Sequence, residues 1–466
     1  MKRILQSLMI IIIVGASASS LIACTKKFFF DSSIWVITDG GTVTDLAFNQ
    51  SVWEGASKYV VAQKNNGVLG LKWKTLDWRS SYFESVSQTP GDYKRAYITS
   101  SIAGGKTLIL PGFNHGNTLG WAAALFDNVI YIDGSGQNIH LNMYQKAPLA
   151  KNIIGIIYQA EASGFFASLA TSIYLNAHQQ EYNGQFKIGT YGGMDNPVAV
   201  SNYMWGFLVG FDLFNMIIDA PLNNKWNNLK VKLLEQVQNI NPSITTLQPV
   251  TKIQKVLKQN ESWFSQSFKA GDGKIISDEL LSRKACIIFP VAGAQVQDTI
   301  NQIKVHKVNA KVVGVDTEQS KIYGENYIVT SALKQIGTST YDALKNIYSQ
   351  ECGYDAQNEI WDLTYQTNNC WINTDQTTFN HPSWTGIEKT KWVKQDLVDF
   401  LHNTSEDKSK NTLFDKIIQI LQQAYKTGID NNGAIASHNF TNTLQNTYGT
   451  QTTLKKYLLT AIEKIL

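Results

Sequence analysis

The segment Ile34-Trp-Val-Ile-Thr-Asp-Gly-Gly-Thr-Val-Thr-Asp-Leu-Ala-Phe-Asn-Gln-Ser-Val-Trp-Glu-Gly55 holds the elements of a ligand site in one continuous run. Its first five residues suit a buried strand, and the apolar residues after position 50 recur at helical spacing. Between strand and helix lie the carboxylate of Asp39, two glycines and the pair Phe48-Asn49. Ligands of parallel α/β sheets bind at the carboxyl ends of the strands. The segment therefore predicts one wall of a cleft for a small molecule with a flat ring and hydrogen-bonding edges.

The alternation of buried strand and helix continues along the chain. Strand-like runs lie at 108–110, 129–132, 153–158, 186–190, 287–289, 312–315 and 327–330. Helical patterns lie between them, for example at 164–177, 202–219 and 296–307. Strands separated by helices favour a parallel sheet that is covered on both faces. Because the strands are too many for one Rossmann-like half, the sequence predicts two α/β lobes.

Two regions depart from this pattern. Residues 219–260 are rich in Asn, Lys and Gln and are interpreted as an inserted or extended surface region. Beyond about residue 345 the strand pattern stops, and the remaining chain is polar with helical patterns at 413–425 and 454–466. We therefore predict an added helical C-terminal subdomain over residues 346–466.

Composition and motifs exclude several classes of function. The chain of 466 residues is 43% hydrophobic and 17% charged, which is typical of a folded globular protein. Its formal net charge of +4 gives no support for nucleic acid as a partner, which requires a clustered basic face. The histidines form no metal-binding pair at helical spacing, and the chain has neither a P-loop nor a G-x-S-x-G motif. We predict no cofactor, no metal and no catalytic residue, and hence no enzyme.

The N-terminus has the pattern of a lipoprotein signal peptide over residues 1–23. Lys2 and Arg3 form a charged start, residues 8–14 an apolar centre, and small residues follow. The run Leu21-Ile-Ala-Cys24 then resembles a bacterial lipobox, in which the cysteine is acylated. The alternative is a transmembrane anchor, for which the apolar run is short. We expect lipidation at Cys24, a tether over residues 24–32, and a protein held at the extracytoplasmic face of the cell membrane rather than embedded in it.

The other cysteines have no metal-ligand spacing. Cys286 lies in an apolar run and is expected to pack as a small hydrophobic residue. Cys352 and Cys370 are either a disulfide or two free thiols, and the sequence leaves both open.

Several short motifs follow one another between residues 33 and 345. The first is the opening segment, which includes Asp45-Leu-Ala-Phe48-Asn49. It is followed by Tyr131-Ile-Asp133, Glu161-Ala-Ser-Gly-Phe165, Tyr191-Gly-Gly-Met-Asp-Asn-Pro197, Tyr203-Met-Trp-Gly-Phe207, Phe289-Pro-Val-Ala-Gly293, Gly314-Val-Asp316 and Thr330-Ser-Ala-Leu-Lys334. In this order they resemble the basic membrane protein family of bacterial lipoproteins, the PnrA-like substrate-binding components of nucleoside ABC transporters.

The resemblance implies an aromatic sandwich around a base. Phe48 would be one ring, since stacking on an aromatic side chain contributes about 1–3 kcal/mol per base in nucleic-acid systems. Tyr203 falls where the family has its second ring, a phenylalanine, and Trp205 is a rival for that position. From the residues alone, Phe48 is about equally often a core residue at the start of a helix, and a helical tryptophan beside Gly206 is usually in the core.

The resemblance also implies polar roles. Asp39, Asn49 and Asp133 would face the edge of the base, and Asp316 and Lys334 would hold the ribose. Gly293 would bring a backbone N–H close to the sugar, although Ala294 stands where the family has a second glycine. From the residues alone, Asp39 reads as a turn residue, Asp133 as a strand-end cap and Lys334 as a surface lysine.

The architecture implied is the bilobed periplasmic-binding-protein type I fold. Lobe one is expected at about 33–148 and 290–318, and lobe two at about 149–288 and 319–345. The protein would capture a nucleoside, with purines favoured, and deliver it to an ABC permease. The alternatives are a binding protein for a sugar or other small ligand, a surface antigen or adhesin that retains the fold, and, last, an enzyme such as a nucleoside hydrolase.

Overall fold

The computed structural model describes most of the chain after its N-terminal segment. The described residues are 33–65, 80–85, 87–141, 145–220, 224–253, 263–355, 360–361, 370–372, 378–405, 407–427 and 464–465. The predicted signal peptide, the tether and Cys24 lie outside them, as does nearly all of the predicted helix at 454–466. None of the helices among the described residues is long and apolar enough to cross a membrane.

Lobe one is built on a six-stranded, fully parallel sheet. Its order is β13-β5-β4-β3-β1-β2. The strands are β1 (Ile34–Ile37), β2 (Ser80–Phe83), β3 (Thr107–Pro111), β4 (Asn128–Ile132), β5 (Ile153–Ile156) and β13 (Thr378–Phe379). Successive residues of β1 enter different cores: Ile34 and Val36 pack on one face of the sheet, and Trp35 and Ile37 on the other. This is the burial on both faces that the continuous apolar runs predict.

Lobe two repeats the arrangement. Its sheet has the order β14-β10-β9-β8-β6-β7, parallel except that β14 runs antiparallel to β10. The strands are β6 (Phe186–Gly192), β7 (Val250–Lys252), β8 (Ile287–Val291), β9 (Lys311–Asp316), β10 (Ile328–Lys334) and β14 (Thr385–Ile387). A separate short antiparallel pair joins β11 (Tyr354–Asp355) to β12 (Ile360–Trp361). All seven predicted strand runs lie on strands of the two large sheets.

Helices cover both sheets. In lobe one they are α1 (Phe48–Asn65), α2 (Pro90–Ile102), α3 (Leu119–Leu125) and α10 (Ile336–Ile347). In lobe two they are α4 (Ala160–Ala177), α5 (Asn202–Asp219), α6 (Asn224–Gln238), α7 (Lys274–Ser282), α8 (Gln295–His306), α9 (Ser320–Tyr323), α11 (Gln395–Leu401) and α12 (Leu413–Thr427). The chain crosses between the lobes after β5, after β10 and between Trp384 and β14, so the two lobes are joined at one side.

The lobe boundaries differ from those expected. Residues 290–318 were assigned to lobe one, but β8 and β9 pair with β6 and β10 in the sheet of lobe two. Conversely, α10 packs on lobe one, where Ile336, Ala343 and Leu344 join the same core as Val36 and Val52. The strands of the two lobes have the same apolar composition, so the sequence pattern alone does not say which sheet each strand joins.

The two regions set apart in the sequence also belong to the lobes. Within residues 219–260, α6 buries Trp226 and Leu233 in the core of lobe two, and β7 forms an edge of its sheet. In the C-terminal region, β13 extends the sheet of lobe one and β14 that of lobe two, while α12 buries Phe414 and Ile417. Over its described residues, the C-terminal region therefore completes both lobes instead of forming a separate helical subdomain.

The structure also shows which of the described cysteines are bonded and which is free. Cys352 and Cys370 form a disulfide with their Cα atoms 4.9 Å apart, and both are buried in the core beside α10. Cys286 is free and packs partly buried against the core of lobe two, as expected.

Candidate functional site

The candidate site lies where the carboxyl ends of the two sheets meet. Asp39 follows β1 and Asp133 follows β4 in lobe one, while Asp316 ends β9 and Lys334 ends β10 in lobe two. Because the strands of each sheet are parallel, the side chains that follow them gather at one edge. Asp133 and Asp316 have positive φ angles of 62° and 64°, which turn the chain sharply as it leaves the strand.

Asp39 is held by groups from two neighbouring elements. Tyr93 of α2 donates its hydroxyl to the Asp39 carbonyl oxygen at 2.7 Å, and the Asn114 amide nitrogen lies 3.4 Å from the Asp39 Oδ2. The carboxylate fits against Gly112, where a Cβ would lie only 1.9 Å from Oδ2 and where φ is +95°. Any side chain at position 112 would therefore displace the Asp39 carboxylate.

Asn49 is fixed by the residue that caps its helix. Asp45 accepts hydrogen bonds from the backbone N–H groups of Ala47, Asn49 and Gln50 at the start of α1. The same carboxylate accepts from the Asn49 side-chain nitrogen at 2.9 Å, which orients the amide. These hydrogen bonds explain why an Asp stands shortly before Phe48-Asn49 in the motif, since Asp45 positions the helix start and the amide together.

A buried ion pair joins the two lobes. Lys334 Nζ of lobe two donates to Asp133 Oδ2 of lobe one at 2.7 Å, and both side chains are at most 3% exposed. Lys334 also donates to the Ala199 carbonyl oxygen at 3.2 Å, and its nitrogen lies 5.0 Å from the Tyr203 ring centroid and 5.5 Å from that of Tyr158. Lys334 is therefore buried between the lobes and is not a surface lysine.

Tyr203 and Asp316 are paired within lobe two. The Tyr203 hydroxyl donates to Asp316 Oδ1 at 3.2 Å, and its ring packs edge-on against Phe289 with centroids 6.0 Å apart. The first turn of α5 lies tight against α4 because Gly164 has no side chain: a Cβ there would be 2.1 Å from the Tyr203 carbonyl oxygen. Trp205, the rival for the second ring, is buried in the core of lobe two.

The site carries three interacting carboxylates and one lysine. Burial raises the pKa of Asp39 to about 7, with a further rise from the Asp45 and Asp133 carboxylates. Burial raises the pKa of Asp316 to about 6, although Lys334 opposes the shift. Burial also raises the pKa of Asp133, again opposed by Lys334. These mutual effects place the three carboxylates in one electrostatic cluster with an excess of acceptors.

Two buried acceptors in this cluster have no donor among the described residues. Asp133 Oδ1 and Asn49 Oδ1 are buried and accept no hydrogen bond from a described residue. A buried polar atom without a partner is costly, so such atoms in a cleft indicate groups that a ligand satisfies. The arrangement can therefore accept hydrogen bonds from the N–H and O–H groups of a bound molecule. No cluster of metal-ligating side chains occurs in the described part of the chain.

Two of the predicted residues are placed without direct contact to the others. Phe48 begins α1 with its ring partly buried against the core of lobe one. Gly293 lies in the turn between β8 and α8 with φ of +53°, and the space where its Cβ would be is open within 4 Å. Neither residue shares a described hydrogen bond or ring contact with Asp39, Asn49, Asp133, Tyr203, Asp316 or Lys334.

The sequence pattern missed Asn114 and Tyr158. Asn114 lies just after β3, in Phe113-Asn-His-Gly116, so its position at a strand end was a signal for it. Its neighbour His115 lies in the same loop, where a solvent-exposed histidine is expected, but this histidine is not exposed. It is fully buried between Tyr93 and Tyr97 and bonded to the Tyr97 hydroxyl at 2.7 Å, and burial lowers its pKa to about 3.

Comparison with known proteins agrees with this arrangement at the level of the fold. A crystal structure of an ABC transporter system solute-binding protein from Aeropyrum pernix K1 superposes with a TM-score of 0.50, over 93% of this chain and 90% of that one, at 14% identity. The likeness confirms the predicted bilobed periplasmic-binding-protein type I fold.

Two curated relatives are lipoproteins of mycoplasmas. An uncharacterized lipoprotein of Mycoplasma pneumoniae, the MG040 homolog, is 23% identical over 346 residues, which cover 64% of this chain and 52% of the relative. The uncharacterized lipoprotein MG040 of Mycoplasma genitalium is 22% identical over 343 residues, covering 64% and 58%. The chain thus spans little more than half the length of these relatives.

A sequence model of one family matches the chain directly. Residues 250–366 match the Bmp family, described as PnrA-like ABC transporter substrate-binding protein. These residues include β8, β9 and β10, with Gly293 in the turn after β8, Asp316 at the end of β9 and Lys334 at the end of β10. The description of this family is that of a substrate-binding protein of ABC transporters. This part of the chain is therefore similar to the PnrA-like substrate-binding proteins of ABC transporters.

Proposed function

We propose that the protein captures a nucleoside, with purines favoured, between its two lobes and delivers it to an ABC permease. The observation that carries the proposal is the convergence of one polar cluster from both lobes: Asp39, Asn49 and Asp133 from the first, and Tyr203, Asp316 and Lys334 from the second. A ligand bound by both groups would favour the closed lobes, which is how binding drives domain closure.

The chemistry of the cluster fits the parts of a nucleoside. The free acceptors of Asn49 and Asp133 suit the N–H groups of a base edge, and the Asp316 carboxylate can accept from two vicinal hydroxyls of a ribose. Phe48, at the start of α1, would stack on the base from the side of lobe one. Tyr203 would supply the second ring, and Gly293 a backbone N–H for the sugar.

Membrane attachment is part of the same proposal. The sequence pattern at residues 1–24 supports cleavage before Cys24 and acylation of its thiol, and both mycoplasma relatives carry the name lipoprotein. A diacylated cysteine gives stable anchoring where one chain would not. The lobes would then face the outside of the cell membrane, next to a permease.

The test is calorimetric titration of the full chain in detergent with adenosine, guanosine, uridine and ribose. We expect a nucleoside to bind and ribose to bind far more weakly. Phe48→Leu should weaken nucleoside binding roughly tenfold by loss of stacking. Tyr82→Leu is the matched control, because Tyr82 is a partly exposed ring of the same lobe on the edge strand β2. Binding of a sugar without any nucleoside, or an unchanged affinity in Phe48→Leu, would contradict the proposal.

A further inference from the structure

The turn that carries Asp316 is held from outside by a buried carboxylate of the C-terminal region. This turn, residues 315–320, links β9 to α9 and is referred to as the Asp316 turn. Glu388 follows β14 and is only 1% exposed. Both the Ser320 backbone N–H and the Ser320 hydroxyl donate to its carboxylate. A carboxylate is rarely buried to this degree, so its two oxygens must be satisfied by such donors.

A second connection passes through β10. The Ser331 hydroxyl donates to Glu388 Oε2 at 2.6 Å and accepts the backbone N–H of Gln319 at 3.2 Å. The Gln319 side-chain oxygen in turn accepts the Val315 N–H at 3.0 Å. Gln319 and Ser331 are fully buried. The chain on both sides of Asp316 is therefore tied to one carboxylate. Ser320 is bonded to it directly, whereas Val315 is linked to it through the side chains of Gln319 and Ser331.

Strand pairing places Glu388 at this point. β14 runs antiparallel to β10 with Ile387 opposite Ala332, and the Glu388 N–H donates to the Ser331 carbonyl oxygen at 2.9 Å. The Thr330 hydroxyl donates to the Glu388 carbonyl oxygen at 2.7 Å. The backbone of Glu388 is thus held by the sheet, and only its side chain reaches the Asp316 turn.

We infer that Glu388 is a positioning residue for ligand binding, acting through the turn that aims Asp316 at the sugar of the ligand. Asp316 has the positive φ of 64°, a conformation that a non-glycine residue keeps only when its surroundings hold it. The inference rests on the proposed function for the identity of the ligand, and it assigns part of the binding site to the C-terminal region, beyond residue 366 where the family match ends.

The first experiment does not depend on any ligand. Hydrogen exchange of peptides from residues 314–321 is compared between the full-length wild type and Glu388→Gln. The amide places an N–H group where the carboxylate accepts hydrogen bonds, so at least one donor loses its partner. We expect faster exchange in this segment of the variant with the rest of lobe two unchanged. Equal exchange rates in this segment would overturn the inference.

The second experiment measures the consequence for binding. Calorimetric titration compares a purine nucleoside with its 2′,3′-dideoxy analogue. Glu388→Gln should weaken the nucleoside roughly tenfold, the loss expected for a hydrogen bond to a charged group, and leave the dideoxy analogue nearly unchanged. Adding Asp316→Asn to Glu388→Gln should cause little further loss for the nucleoside. An equal loss for both ligands would indicate general destabilisation and overturn the positioning role.

Two more variants complete the design. Glu318→Gln is the matched control, since Glu318 is an exposed acid of the same turn that pairs with Lys321. This substitution should leave the affinity for the nucleoside unchanged. Ser331→Ala removes the link from Glu388 to Gln319 and should weaken nucleoside binding about threefold. This variant takes the place of Glu388→Gln if Glu388→Gln does not fold. If the wild type binds no nucleoside while exchange still rises in Glu388→Gln, the proposed function fails and the positioning of the turn stands.

Discussion

Asp39 belongs both to the sequence motif after β1 and to the polar cluster of the candidate site. Its carboxylate is enclosed by Gly112, by the Asn114 amide and by the helix start that Asp45 caps. Two further carboxylates act on it, so the ionised form is disfavoured by burial and by like charge. A carboxyl that still holds its proton near neutral pH can donate a hydrogen bond as well as accept one. The residue can therefore face either a donor or an acceptor on a ligand.

This raised pKa predicts a dependence of stability on pH. Between pH 4 and pH 7 the unfolded chain has ionised Asp39 while the folded protein keeps it protonated, so folding binds a proton and stability falls as the pH rises through 7. Asp39→Asn removes this contribution of Asp39 to the pH dependence of stability. As the pH rises from 5 to 8, the free energy of unfolding of the variant should increase by about 2 kcal/mol relative to that of the wild type. This is less than the whole pKa shift would give, because the side chain keeps some contact with solvent.

Denaturant unfolding at several pH values measures this difference. Asp272→Asn serves as the control, since Asp272 is an exposed acid, and its stability curve should run parallel to that of the wild type. A constant difference between Asp39→Asn and the wild type across the pH range would show that Asp39 titrates normally.

At the scale of elements, the disulfide ties the end of α10 to the segment that precedes β13. Cys352 and Cys370 are separated by 18 positions and lie in the core that α10 shares with β1 and β4. In the chain-entropy account, a closed loop of this size restricts the unfolded chain and stabilises the fold by about 3 kcal/mol. The bond therefore contributes to lobe one although it lies late in the chain.

We expect Cys352→Ser/Cys370→Ser to lower the free energy of unfolding by about 3 kcal/mol. The wild type in reductant should lose a similar amount, measured by denaturant unfolding. Cys286→Ser is the control, because this thiol is free and only partly buried, and it should respond to reductant as the wild type does. A wild type that is equally stable with and without reductant would show that the bond does not form.

The same elements show what could be read from the sequence. The β1-to-α1 segment, the long α5 and the seven strand runs were predictable because apolar periodicity is a local signal. The strands β13 and β14 were missed because each has only two or three residues and gains its partner from a sheet formed far earlier in the chain. Likewise, Lys334 and Asp316 were found through their motifs, whereas Glu388 has no local signal and acts only through the tertiary contacts of β14.

At the scale of the whole molecule, the buried pair of Lys334 and Asp133 links the two lobes at the site. A lysine buried to 2% exposure is retained only with a partner, and here the partner belongs to the other lobe. Opening of the cleft separates the two charges and returns each of them to water. The pair therefore stabilises the closed arrangement only as far as their attraction exceeds the cost of removing both from water.

Lys334→Met should then leave Asp133 buried without its cation, lower the free energy of unfolding by roughly 3–5 kcal/mol and favour open lobes. Asp133→Asn/Lys334→Met should recover much of that loss, because replacing both members of a buried pair is often nearly neutral. Denaturant unfolding gives the free energies of unfolding. Small-angle scattering of the ligand-free protein gives the radius of gyration, which should rise in the single variant and return to the wild-type value in the double variant.

Lys304→Met is the control, because Lys304 is an exposed lysine over the Tyr327 ring, and it should change neither quantity. If the single and the double variant were destabilised equally, the loss would come from the packing of the lysine stem against Tyr158 and Tyr203, and the ion pair would have no part in holding the lobes together.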